Sequence, residues 1–431
     1  MKVDCFPDAT PDWPRCSIAE LATIDPPYEL ELGKVYPFLE MASVREGFAG
    51  IAKYDERVWD ASGLCRFAEN DVILGKITPC AENGKTALVR DLPDNFGIGS
   101  TEFFVLSPHE HVVPEFLFAV LTAGPFHRRL VSRMEGSTGR LRITRDTLKK
   151  WLAVPVPPIE EQRRIAIALK LADDSVVKAQ AELNAAQDLK RSLEAGLLTG
   201  RIDKRARSTT KTKIGTFPND WKVLLLMELA SIGSGVTLNQ DRAPKKYPCR
   251  YLTVAHVQRG SISNEDRRFL EMTPEERKCR LLEEGDVLVI EGHASPMEIG
   301  RAAMFKDQGE PTTFQNHLFR VRADINQILP TFLLYVLNSE RVQRHWNAIC
   351  NTSSGLNTIN RRNLRKLLIQ CPRIDEQREI IETLDAAEVS ILASSNKVSA
   401  LDEVKRSLLH NLLTGKIRIP ADAPVPDRGA A

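Results

Sequence analysis

Two stretches of this chain concentrate cations beside small polar residues. From Arg128 to Lys150 there are eight Arg or Lys against Glu135 and Asp146, and from Arg341 to Lys366 there are six and no acidic residue; each stretch carries a local +6 in a 431-residue chain whose net charge is +2. A third basic segment, Arg201 to Lys213, holds six against Asp203. Clustered guanidinium and ammonium groups suit phosphate contact, because each neutralised phosphate releases condensed counterions, and neighbouring small residues let the backbone approach. Nucleic acid is the partner this chemistry points to, with Arg133, Arg145, Arg344 and Arg362 as phosphate candidates. Reading base edges takes hydrogen-bonding side chains that enter a groove. The candidates are Lys76, Thr78, Asn83, Lys85, Arg140 and Arg142 in the first half, and His256, Arg259, His293, Gln315, Asn316, Asn357 and Arg361 in the second. Each has a plainer alternative: Asn83 and Lys85 suit a hairpin turn, and His293 and His317 suit solvated surface histidines.

One motif points to catalysis instead. Asp25-Pro26-Pro27-Tyr28 resembles the DPPY motif of methyltransferases acting on the amino group of adenine or cytosine, in which a polar side chain and a carbonyl grip the amino group while the ring stacks on a flipped base. Such an enzyme also needs a glycine-rich cofactor loop after a strand. FGIGS at Phe96 has the wrong spacing, and the second half offers only GSGV from Gly233. The sequence holds no GxxxxGK[ST] phosphate loop, no GxSxG elbow and no carboxylate pair with a lysine in nuclease order. Eight cysteines are scattered without a CxxC pair or a zinc-like His spacing, which favours free thiols in a reducing cytoplasm and no metal. No run approaches the roughly 18 apolar residues of a membrane span, so no membrane partner is expected.

The elements that must position these residues come in duplicate. IEEQRRI from Ile159 returns as IDEQREI from Ile374, LKRSL from Leu189 as VKRSL from Val404, and LLTGRI from Leu197 as LLTGKI from Leu412, all at a period of 215 residues. Upstream, DWPRCSIAELATI from Asp12 resembles DWKVLLLMELASI from Asp220, and NDVIL from Asn70 resembles GDVLV from Gly285. The order is domain, helix, domain, helix, which predicts a pseudo-twofold molecule with two related but unequal surfaces.

Apolar residues at 4-3 spacing define the helices. One seam runs Ile165, Leu169, Ala172, Val176, Ala179, Leu183, Ala186, Lys190, Leu193, Leu197, and the other runs Ile380, Leu384, Ala387, Ile391, Ser394, Val398, Leu401, Lys405, Leu408, Leu412. Lys190 and Lys405 interrupt the two seams at the same place, where a polar residue can fix register. Prolines 157 and 158 with Glu160 and Glu161 suit a helix start, and Gly200 and Gly415 suit C-terminal caps. Two narrow seams in one chain most simply bury each other. At about 40 residues each, they predict an antiparallel rod of about 60 Å. Around the helices, strand-like runs such as DVILGKIT (Asp71), TEFFVLS (Thr101), DVLVIE (Asp286) and HLFRVRA (His317) alternate with helices starting at Pro114 and Pro330. The fold class expected is α+β: two mixed α/β domains joined by an antiparallel coiled coil.

This layout, together with ITPCAENGK (Ile77 to Lys85), STEFFVLSP (Ser100 to Pro108), the GSTGRLRIT turn from Gly136, PPIEEQRRI and LLTGRI, resembles the DNA-specificity subunit of type I restriction-modification systems. The resemblance covers nearly the whole chain. It implies target-recognition domains at 1–156 and 217–371, spacer helices at 157–200 and 372–416, a basic linker at 201–216 and a flexible tail at 417–431. It also implies a non-catalytic subunit that reads the two halves of a split duplex-DNA target. Its partners would be two methyltransferase subunits and motor-nuclease subunits, and S-adenosylmethionine, ATP and Mg would belong to those partners alone. Helix positions repeated in both copies, Glu161, Gln162, Arg163, Arg191, Glu376, Gln377, Arg378 and Arg406, are the docking candidates, with helix capping as the alternative. The second domain departs from the pattern, with VIEGHASPMEIGRAA from Val289 in place of ITPC-ENGK. A self-sufficient amino-methyltransferase using Asp25 to Tyr28 is the competing reading, and a coiled-coil adaptor without a DNA role is a third.

Overall fold

The computed structural model describes residues 3–137, 139–202, 207–353 and 356–422, so the expected linker and tail fall partly outside the described residues, at 203–206 and 423–431. The chain divides into two compact units, Met1–Gln180 with Asn396–Ala431, and Ala181–Ser395. The division passes through both long helices.

In the first unit, strands β1 (Ala22–Ile24), β2 (Val72–Gly75), β3 (Thr86–Leu88) and β4 (Phe103–Pro108) form an antiparallel sheet in the order β1-β4-β2-β3. Side chains alternate across it with the period of two that a strand imposes. Val72, Leu74, Phe104 and Leu106 pack with Phe116, Val120 and Phe126 of helices α1 (Pro114–Thr122) and α2 (Gly124–Val131). Ile73, Phe103 and Val105 face the other way, into a second core with Leu39, Val44 and Phe67. That core is closed by a second sheet of strands Asp55–Val58, Val35–Leu39, Phe96–Gly99 and Cys65–Ala68. After α2 comes a hairpin of β5 (Glu135–Ser137) and β6 (Arg140–Arg142), and then the long helix α3 (Ile159–Leu197).

The second unit repeats the plan. Strands β7 (Ala230–Ser234), β8 (Val287–Ile290), β9 (Ala302–Met304) and β10 (Leu318–Ala323) pair antiparallel in the order β7-β10-β8-β9. Val287, Val289, Phe319 and Val321 pack with Phe332, Val336 and Trp346 of α4 (Pro330–Asn338) and α5 (Glu340–Ile349), while Leu288, Ile290 and Leu318 join Leu252 and Phe314 on the opposite face. A hairpin of β11 (Asn351–Ser353) and β12 (Leu356–Thr358) follows, and then the second long helix, α6 (Ile374–Thr414).

Two single helices expected from Pro114 and Pro330 are each two. The breaks fall at Ala123, with ψ 132°, and at Ser339, with ψ 151°. In the first, Pro125 supplies no N–H to continue the hydrogen-bond ladder of α1 and instead sits in the first turn of α2, where none is needed. In the second, the Ser339 hydroxyl accepts from the Val342 N–H and caps a new helix.

The long helices, of 39 and 41 residues, match the lengths their periodicity predicts. Every seam position in both is buried or partly buried. Within the first unit, Asp173 near the middle of α3 pairs with Lys405 late in α6 at 2.5 Å. Within the second, Lys190 late in α3 pairs with Glu388 early in α6, also at 2.5 Å. An early stretch of one helix against a late stretch of the other is antiparallel pairing, and the seam lysines do cross between helices. Gly200 and Gly415 end the helices at φ +67° and +69°, a left-handed conformation that glycine adopts without a Cβ clash.

Candidate nucleic-acid interface

A hairpin in each unit is wired to a central strand of its main sheet by the same backbone bonds. In the first unit, the loop after β2 carries Lys76, Ile77 and Thr78. The Thr78 N–H donates to the Leu141 carbonyl at 3.0 Å, and the Ile143 N–H donates to the Lys76 carbonyl at 2.8 Å. In the second, Gly292 and His293 pair with Thr358 and Asn357, and the Ile359 N–H donates to the Glu291 carbonyl at 2.9 Å. The loop that looked divergent, VIEGHASP, therefore occupies the place of ITPC-ENGK. Gly136 in the first hairpin has φ +137°, and a Cβ there would lie 2.5 Å from the Arg140 carbonyl oxygen. Of the two turns, Thr138 and the pair Ser354 and Gly355 lie outside the described residues.

Around the first hairpin, Arg142 donates to both carboxylate oxygens of Glu102 at 3.0 and 3.1 Å. Lys76 donates to the Phe103 carbonyl at 3.3 Å with its ammonium 5.1 Å from the Phe104 ring centre. Arg133 lies 5.3 Å from the ring centre of Trp151, an exposed aromatic that the sequence reading passed over. Arg140 is exposed and makes no ion pair among the described residues. Three other candidates have internal work. Thr78 donates to Glu82 at 3.0 Å, Asn83 to Glu46 at 2.8 Å, and Lys85 to the Met41 carbonyl at 2.9 Å. Arg145 pairs with Asp25.

In the second unit, His256 is buried. Its Nδ1 accepts from the Thr253 N–H at 3.0 Å, so its Nε2 donates to the Asp266 carbonyl at 3.1 Å, and the ring has no nitrogen left for a base. Asn357 is also buried and donates to the Ala294 carbonyl at 3.0 Å. The residue types at these two positions suit base contact, but the fold spends them on its own loops. His293 accepts from the Ser295 N–H at 3.0 Å, and Arg259 donates to the Met297 carbonyl at 2.9 Å. Gln315 and Asn316 are partly buried. Arg344 is exposed beside Glu340 at 3.4 Å, Arg361 donates to the Ile232 carbonyl, and Arg362 is exposed without an ion pair among the described residues.

The helix starts correct the docking expectation for four residues. Gln162 is 1% exposed: its Oε1 accepts from the Val113 N–H that begins α1 at 2.9 Å, and its Nε2 donates to the His111 and Pro157 carbonyls. Gln377 does the same for α4, accepting from the Leu329 N–H at 2.8 Å and donating to the Gln327 and Pro372 carbonyls. Glu161 receives two hydrogen bonds from Arg418 at 2.8 and 2.6 Å, with the guanidinium 5.8 Å from the Trp13 ring centre. Glu376 receives Arg207 and the Trp221 indole N–H, the latter at 3.2 Å. All four are buried, so repetition here marks a joint kept within each unit. Arg163, Arg191, Arg378 and Arg406 are exposed.

The DPPY residues are likewise committed to the fold. Asp25 has φ +53°, accepts from the Val105 N–H at 3.0 Å and holds Arg145. The Tyr28 hydroxyl donates to Asp71 at 3.1 Å and sits 3.0 Å from the Ser107 hydroxyl, with burial pushing its pKa up to about 12. Burial also raises the Asp71 carboxyl.

A hairpin docked on the main sheet by the same backbone bonds in each unit, carrying Arg140 and Arg142 in the first and preceding the exposed Arg361 and Arg362 in the second, with a long helix after each, defines a duplicated DNA-recognition protein in class. The model of the type I restriction modification DNA specificity domain matches residues 12–186 and again 218–400, and the chain belongs to that family. Among relatives, it is 29% identical to the EcoAI specificity subunit of Escherichia coli over 202 residues, which is 45% of this chain and 34% of that one. It is 26% identical to the StySPI specificity subunit of Salmonella potsdam over 331 residues, 75% of this chain and 69% of that one. The chain thus spans about a third of the first relative's length. A solved chain of a type I R-M system aligns over 95% of this chain and 99% of its own, with TM-score 0.64 and 19% identity, and the HsdS subunit of Thermoanaerobacter tengcongensis aligns over 95% and 98%, with TM-score 0.54 and 18% identity. These two matches concern the fold. Among the described residues, no helix is long and apolar enough to cross a membrane.

Proposed function

We propose that this chain is the sequence-specific DNA-binding subunit of a type I restriction-modification complex. One domain, taken as 1–156, reads one half of a split duplex target, and the other, taken as 217–371, reads the second half. The paired helices hold them apart. Two methyltransferase subunits dock on exposed helix positions such as Arg163, Arg191, Arg378 and Arg406, and motor-nuclease subunits join them. The chemistry, with S-adenosylmethionine, ATP and Mg, belongs to those partners, and the complex works in the cytoplasm. The observation that carries this reading is the hairpin built twice on the same backbone wiring beside a basic stretch, in a chain with two specificity domains.

The test is to co-express the chain with the methyltransferase encoded beside it and map methylated bases. A split motif with a fixed unread gap supports the reading; methylation without sequence preference, or none, overturns it. The competing enzyme reading requires the chain alone to bind S-adenosylmethionine and to lose methyltransferase activity on Asp25→Ala. Asp25 and Tyr28 serve internal bonds, so neither form alone is expected to methylate DNA, as a methyl-transfer assay on the full chain would register.

A further inference from the structure

The two hairpin junctions share a backbone and differ in their side chains, and the difference has a pattern. The Lys76 N–H donates to the Glu102 carbonyl at 3.0 Å and its carbonyl accepts from Ile143; the Glu291 N–H donates to the His317 carbonyl at 3.0 Å and its carbonyl accepts from Ile359. Ile77 faces Arg142 across its bridge as Gly292 faces Thr358. Lys76, Glu102 and Arg142 in one unit therefore stand where Glu291, His317 and Thr358 stand in the other. Elsewhere the duplication kept residues that serve the fold, Gln162 with Gln377 and Glu161 with Glu376. Here it kept the backbone and reversed a charge, replacing Lys76 by Glu291.

These side chains are partly exposed: Arg142 55%, Glu102 29%, Glu291 32% and His317 58%. Each is also held by one neighbour. Arg142 spends one terminal nitrogen on Glu102, leaving its remaining N–H groups without a partner among the described residues. Glu291 spends Oε2 on His317 Nδ1 at 3.0 Å, leaving Oε1 to accept. An arginine held in place presents paired donors that fit the O6 and N7 acceptors of guanine, whereas a held carboxylate can only accept and fits the N4 amino group of cytosine. We infer that this junction is the base-reading station of each unit, with Arg142 selecting guanine in one half-site and Glu291 selecting cytosine in the other. The inference rests on the DNA-reading function proposed above.

The experiment uses the full chain, purified from its host cells with its bound subunits, to select duplexes from a random library. The parent, Glu291→Gln and Arg142→Gln are compared. Glutamine pairs with adenine N6 and N7, so E291Q should move one position of one half-site from cytosine to adenine, and R142Q one position of the other half-site from guanine to adenine. Each change in preference should be about ten-fold or more. The slope of affinity against salt should stay unchanged, because a base contact releases no counterion, while loss of a phosphate contact lowers it by about one. A parent consensus retained by both variants overturns the inference while leaving the proposed function standing. So does a change spread over both half-sites, or a reduced salt slope. A parent complex that enriches no split sequence defeats the proposed function, and this inference with it.

Discussion

Gln162 and Gln377 show how one residue type can hold a domain to its helix. Each is a buried amide that satisfies the first free N–H of a short helix and two loop carbonyls. Removing a buried partner leaves those groups without water or protein to bond, at about 1–3 kcal/mol per site. Gln162→Ala and Gln377→Ala should each destabilise by that amount in urea unfolding, and neither should change the base preference of the DNA bound. The Arg207 side chain, 15% exposed against a Glu376 only 7% exposed, closes the second unit's joint. Arg207→Ala should cost roughly 3 kcal/mol, since it strands a buried carboxylate, and Arg418→Ala should cost less, because that guanidinium is 51% exposed. These joints were visible in the sequence as repeats, but their role was not. Repetition says that a position matters in both copies, while burial decides whether it faces a partner subunit or the interior. The same limit applies to His256 and Asn357, whose side-chain chemistry suits DNA and whose placement serves loops.

At the scale of elements, periodicity carried most of the information. The seams, the caps at Gly200 and Gly415 and the sheet strands follow from local rules of spacing and turn chemistry, and they stand where those rules place them. What residue likeness could not show was the equivalence of ITPC-ENGK with VIEGHASP, because the two share backbone bonds that different side chains can make. An offset of 215 residues applied to Lys76 and Glu102 does land on Glu291 and His317, so the pairing was there to be read once the repeat was trusted inside the domains. The lysines in the seams are a second case. Lys405 pairs with Asp173 and Lys190 with Glu388 across the helix pair, in partly solvated positions. Such pairs contribute about 1 kcal/mol or less, so Lys405→Ala should shift the melting midpoint by little. Leu384→Ala, which empties a fully buried seam position, should cost about 2–5 kcal/mol. Parallel thermal melts of the two variants would distinguish register-setting from core packing; equal losses would count against this division of labour.

For the whole molecule, the proposed function makes the helix pair a spacer, and a spacer has a length that can be changed. One heptad adds about 10.5 Å to a helix at 1.5 Å per residue. Inserted into only one helix, it slips that seam against the other and breaks the pairs at Lys190 and Lys405, so misfolding is the expected result. Inserted into both at matching places, between Ala179 and Leu183 and between Ser394 and Val398, it keeps the seam intact and lengthens the pair. Duplex DNA rises about 3.4 Å per base pair, so the unread gap in the methylation map should grow by about three base pairs while the bases read in each half stay the same. Three added base pairs also rotate one half-site by about 100° around the duplex axis, and binding should weaken to the extent that DNA must twist to meet both reading surfaces. A gap that keeps its parental length in a folded double-insertion protein would mean that something other than the helix pair sets the distance, and the spacer role would have to be given up even if both units still read their bases.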